Sequence, residues 1–110
     1  MSDYLFIESK EPFESKDTAQ VYGLLKELSR DGHKLSLFLV QNGVFSSRKN
    51  AQMNLFSDLL KDNNISIYAD DYSLEERGIT SEEMASEVKV ASMDHLLDLL
   101  MADTCKAIWH

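Results

Sequence analysis

The stretch LSLFLVQNGVFSS, Leu35–Ser47, decides the fold. Its first part, Leu35-Ser36-Leu37-Phe38-Leu39-Val40, is apolar at every position but Ser36. An extended segment with this pattern presents apolar side chains on both faces. Such a strand belongs at the centre of a parallel sheet with helices on each side. The run then stops in Gln41-Asn42-Gly43, a polar turn whose glycine is free to take positive φ. Ser46 and Ser47 follow as candidate N-caps of a helix expected from about Ser47 to Asp62. Strand, turn and helix start together set polar groups at the carboxyl edge of the sheet, where open α/β folds bind ligands.

Working outward from that strand, β and α patterns alternate. Tyr4–Ile7 reads as a first buried strand that ends at Glu8-Ser9-Lys10, before the chain's one proline, Pro12, forbids further pairing. Asp17 with Gln20 makes a capping-box pattern for a helix. Its stripe is Val21, Leu24, Leu25 and Leu28, and Gly32 is its stop. Beyond the centre, Ile65–Ala69 reads as a third strand running into Asp70-Asp71, and Ser73–Gly78 as a short helical turn. Thr80 with Glu83 opens another short helix near Ser81–Ser86. Val88–Ala91 is a fourth strand, and Ser92 caps a last helix with a stripe of Met93, Leu96, Leu97, Leu100 and Met101. Leu99 falls outside that stripe. Lys106–His110 is the fifth strand. The alternation predicts one domain over residues 1–110, a three-layer α/β/α fold with a mostly parallel, doubly wound five-stranded sheet.

Composition narrows function mainly by exclusion. The 110 residues carry 19 acidic and 11 basic side chains, a formal net charge of −8. Nucleic-acid binders need a basic face to displace counterions, and anionic membranes repel such a chain, so neither partner is expected. No run approaches the roughly 18 apolar residues of a membrane span. The opening MSDYLFIESK lacks a basic signal-peptide region, so a cytoplasmic location is expected. One cysteine, Cys105, excludes an intrachain disulfide.

The candidate pocket lies at the carboxyl edge: Glu8, Ser9 and Lys10, then Gln41, Asn42 and Gly43, then Asp70 and Asp71, then Trp109 and His110. A metal set would draw on Glu8, Asp70, Asp71 and His110. Their spacing matches no metal motif, and adjacent aspartates in a strand point to opposite sides, so no metal is expected. Ser46, Ser47 and Arg48 form a candidate anion site at the start of the second helix. The simpler alternative is a serine cap beside solvated Arg48 and Lys49. No glycine-rich phosphate motif occurs, and no cofactor is implied. His33 and His95 read as ordinary surface histidines.

The segments LFIESKEPFES (5–15), LFLVQNGVFSSRK (37–49), ADDYSLEERGI (69–79) and AIWH (107–110), in this order, resemble the DsrE/DsrF/DsrH-like family of small sulfur-trafficking proteins. The resemblance implies the same α/β/α domain, a homo-oligomer (dimer, trimer or hexamer) and a sulfur-relay protein as partner. In sulfur-carrying members a persulfide cysteine follows the third strand, shortly before an Arg-Gly pair. Here Tyr68–Gly78 includes Arg77-Gly78 but no cysteine, and Asp70 or Asp71 stands near the thiol's place. A carboxylate cannot carry persulfide sulfur, which requires a thiolate nucleophile. The expectation is therefore an accessory or binding protein with no catalytic residue. The alternative is a sulfurtransferase or persulfide carrier using Cys105, although Cys105 belongs at the amino edge of the sheet. The apolar surplus on Met93–Met101 gives a physical reason to expect self-association.

Overall fold

A computed structural model of the chain describes residues 3–10, 17–47, 65–84, 88–101 and 105–109. Five strands, β1 (Asp3–Glu8), β2 (Lys34–Leu39), β3 (Ile65–Asp70), β4 (Val88–Ala91) and β5 (Cys105–Trp109), form one sheet. Every pairing is parallel, in the order β4-β3-β2-β1-β5. β2 is the central strand, as its two-faced apolar run requires. Leu35, Leu37 and Leu39 point to one face and Phe38 to the other, all almost fully buried.

The helices are α1 (Asp17–Arg30), α2 (Asp71–Glu76) and α3 (Met93–Leu100), with 3-10 segments at Gln41–Ser47 and Ser81–Glu83. α1 and α2 share one face. Leu25 and Leu74 pack there against Phe6, Leu37, Leu39, Ile67 and Val88. α3 takes the opposite face, where Leu96 and Leu99 meet Leu5, Ile7, Phe38 and Val40. Strand order explains the split. From β1 to β4 the chain steps steadily across the sheet, and then it returns past three strands to place β5 beside β1. A right-handed crossover that reverses direction must run over the other face. The sheet is thus doubly wound.

Two helix ends are set by glycine, as their sequence positions predict. At the end of α1, His33 N–H donates to the Leu28 carbonyl (3.2 Å) and Gly32 N–H to that of Ser29 (3.0 Å), with Gly32 at φ 87°. The end of α2 repeats this, Ile79 to Leu74 (3.0 Å) and Gly78 to Glu75 (3.1 Å), with Gly78 at φ 67°. Both are double hydrogen-bonded stops that need a left-handed residue. Thr80 and Glu83 also pair as predicted, the Thr80 hydroxyl donating to Glu83 Oε1 at 3.0 Å.

Other expectations are corrected. Gly43 does not take positive φ; Gln41 does, at 50°. The segment from Gln41 to Ser47 is a 3-10 helix, not an open turn. On α1, Leu24 is exposed, while Leu25, Leu28 and Ser29 lie inward. On α3, Leu99 joins the core with Leu96, and Met93, Leu97, Leu100 and Met101 face outward. His95 is no surface histidine. It lies partly buried beside Tyr68 (ring centroids 4.7 Å apart) and Phe38 (6.4 Å). The helix expected at 47–62 and the side chain of Val21 lie outside the described residues.

Candidate functional site

β3 leaves the sheet toward the α1 face and its neighbour β4 toward the α3 face. This divergence is the topological switch point, and the carboxyl ends of β3 and β4 flank it. Asp70 closes β3 and at the same time caps α2. Its backbone is extended (φ −66°, ψ 125°), and its Oδ2 accepts from Ser73 N–H at 3.1 Å and from the Ser73 hydroxyl at 2.7 Å. The Ser73 oxygen in turn accepts from Gln41 N–H at 2.9 Å. The αL conformation of Gln41 aims that N–H across to α2. A chain of hydrogen bonds therefore ties the end of β2 to the end of β3.

One turn further along α2, Arg77 strengthens the tie. Its Nε donates to Asn42 Oδ1 at 3.1 Å, and its guanidinium lies 6.0 Å from the centre of the Phe45 ring. The Ser73 hydroxyl is buried and engaged both as donor and as acceptor. Asp70 is 3% exposed, and its Oδ1 has no hydrogen-bond partner. Asp71 turns to solvent, with Oδ1 accepting from Tyr72 N–H at 2.6 Å. The two aspartates thus diverge, one into the edge and one out of it. Among the described residues no group of three or more His, Cys, Asp or Glu is arranged to hold a metal.

Gly43 is needed for close approach. A Cβ on Gly43 would collide with the Glu8 backbone carbonyl, whose oxygen already accepts from Val40 N–H at 3.0 Å. The β1 and β2 exits are locked together by this contact. Glu8 itself is fully buried, so it cannot line a solvent-facing pocket. Ser9 is half-buried and Lys10 exposed. Trp109 is exposed, but it pairs with Ile7 on the far side of β1 from β2. Three strand spacings, roughly 14 Å, separate its strand from β3. His110 and Arg48 lie outside the described residues, as does the Ser46 side chain. Ser47 is fully buried, and its hydroxyl donates to the Val44 carbonyl. Cys105 sits opposite Asp3, at the amino edge and a strand length from the crevice.

The structure thus brings Gln41, Asn42 and Gly43 together with Glu8 and Asp70, through Ser73 and Arg77, and it leaves Trp109 apart. A concave surface exists beside α2, an open cleft of ≈ 370 Å³. Leu74, Ile79, Met84 and Val90 give it an apolar lining, and exposed Asp71, Glu75, Thr80 and Ser81 surround it. Of these residues only Asp71 belongs to the pocket expected from sequence. The signal for the rest was the capping box at Thr80–Glu83, which bends the chain back toward β4.

An all-parallel, doubly wound sheet of five strands with a hydrogen-bonded polar crest at its carboxyl edge defines a small α/β domain. The DsrE/DsrF-like family profile matches residues 2–104, and the chain belongs to that family. Its fold is similar to that of MTH1491 from Methanobacterium thermoautotrophicum, a protein of unknown function, with TM-score 0.85 and 13% identity over 100% of both chains. It is also similar to the ychN protein of E. coli, with TM-score 0.83 and 18% identity over 98% of this chain and 100% of that one. No curated protein matches the sequence.

Proposed function

We propose that this chain is an accessory binding domain of sulfur trafficking that does not itself carry persulfide sulfur. Family membership supports the sulfur setting. One observation carries the accessory role: Tyr68–Gly78 holds no cysteine, and Asp70, near the thiol's expected place, is the buried cap of α2. A carboxylate engaged in this way has neither the polarisable sulfur nor the exposure that persulfide transfer requires. The working surface is the carboxyl edge, where the cleft beside α2 offers a sulfur-relay protein an apolar lining within an acidic rim. Exposure of the purified protein to a polysulfide donor, followed by intact-mass measurement, tests the reading. The expected result is no lasting gain of a sulfur atom. A sulfur adduct on Cys105 that passes to an acceptor thiol would instead make the chain a persulfide carrier.

A further inference from the structure

The cleft beside α2 sets an apolar floor within a rim of one charge. Leu74, Ile79 and Met84 of the floor pack in the core with Val88 of β4, whereas Ala91 packs on the opposite face, in the cluster that holds Leu96. Side chains alternate along a strand, so Val90 shares the face of Val88 and lines the cleft, 51% exposed. Lys89, between them, points away from it.

The rim is acidic. Asp71, Glu75, Glu76, Glu82 and Glu83 are all exposed, and the one cation in that stretch is Arg77. Arg77 is held at the crest. Its Nε donates to Asn42 Oδ1 at 3.1 Å, and Nη1 donates to the Ser73 carbonyl at 3.4 Å and lies 3.8 Å from Glu76 Oε1. Among the described residues no cation pairs with Asp71 or Glu75. Both line the cleft, and they stand at i and i+4 on α2, so their side chains lie next to each other. At ≈ 370 Å³ the cleft falls at the low end of the roughly 300–1,000 Å³ of ligand pockets, room for a side chain rather than a folded surface.

On the docking role proposed above, we infer that the partner inserts a short basic segment here, one apolar side chain entering the cleft and adjacent lysine or arginine facing Asp71 and Glu75. Charge selects this occupant. A second copy, with a formal net charge of −8, brings further carboxylates to an acidic rim. Nucleic acid is repelled for the same reason. A purely apolar segment would desolvate Asp71 and Glu75 without supplying a counter-charge, which costs free energy. A basic segment with no apolar group would leave Val90 half in water.

The probe is a labelled peptide, acetyl-Ser-Lys-Arg-Leu-Arg-Lys-Ser-amide, titrated with the protein and read by fluorescence anisotropy. One control peptide carries glutamine for the leucine, another glutamine for every basic residue. Only the parent peptide should saturate below about 1 mM. Its affinity should fall several-fold as salt rises from about 50 to 300 mM. Methyl NMR signals of Ile79, Met84 and Val90 should move on binding. Glu75→Lys should weaken binding by about tenfold or more with unchanged circular dichroism. Asp98→Lys, the same change of charge at an exposed site on α3, should stay within about twofold, since distant charges are screened. No saturation by about 1 mM, equal binding of either control peptide, or equal losses from Glu75→Lys and Asp98→Lys would overturn the proposal. Sulfur uptake by Cys105 would overturn the accessory reading without touching peptide binding, and a peptide that fails to bind leaves that reading standing.

Discussion

Gly43 and Asp70 each have a role set by what lies within a few ångströms of them. Gly43 is buried against the Glu8 carbonyl, and both backbones are held by neighbouring hydrogen bonds, Gly43 N–H to the Val40 carbonyl at 2.9 Å and Val40 N–H to that of Glu8 at 3.0 Å. An added methyl must push two strand exits apart. Gly43→Ala should therefore destabilise the domain by roughly 1–3 kcal/mol, the range of overpacking, as read by urea unfolding. Asp70 makes the capping bonds of α2 and engages the serine that reaches Gln41. Asp70→Ala should cost about 0.5–2 kcal/mol, the usual loss of a cap, in the same measurement. A neutral Asp70→Ala would show that capping is not what this residue contributes.

Whole elements show which side chains a helix needs. Gly23 lies exposed inside α1, and a Cβ there meets nothing within 4 Å. Gly23→Ala should raise stability by about 0.5–1 kcal/mol, through helix propensity and a less disordered unfolded chain. The contrast with Gly43 is one of surroundings, since the substitution is the same. On α3, adjacent leucines divide in the same way. Leu96 is 3% exposed in the core and Leu97 half-exposed. Leu96→Ala should cost about 2–5 kcal/mol by emptying a packed site. Leu97→Ala should stay within about 0.5 kcal/mol. Thermal or urea unfolding of the pair distinguishes the stripe that holds the monomer from the one that does not.

At the scale of the molecule, charge and topology dominate. Acidic side chains exceed basic ones by eight, and the isoelectric point is ≈ 4.7. Solubility should pass through a minimum near pH 4.7, where mutual repulsion between copies vanishes, and recover above it. Turbidity across a pH series checks this. A minimum displaced to neutral pH would mean that local patches, not net charge, govern association. Topology sets the other global feature. Among the described residues, the reversal from β4 to β5 leaves α3 as the helix on the second face, with Met93, Leu97, Leu100 and Met101 exposed.

Sequence alone determined what depends on local periodicity and local chain chemistry. The two-faced apolar run of β2 put it at the centre of the sheet, Gly32 and Gly78 marked helix stops, and Thr80 with Glu83 marked a turn. Each of these signals lies within a few residues of what it controls. Tertiary structure decided what depends on residues far apart in the chain. It gave the strand order, fixed Gly43 by a contact 35 positions away, and joined Gln41 to Ser73 across 32. It also chose which apolar residues of α3 face the sheet, since a helix apolar over most of its circumference has no preferred side until something packs against it. The carboxyl-edge pocket fell between these cases. Its strand ends were legible because strands were, but which ends lie near one another follows from strand order, and that is written only in the packed sheet.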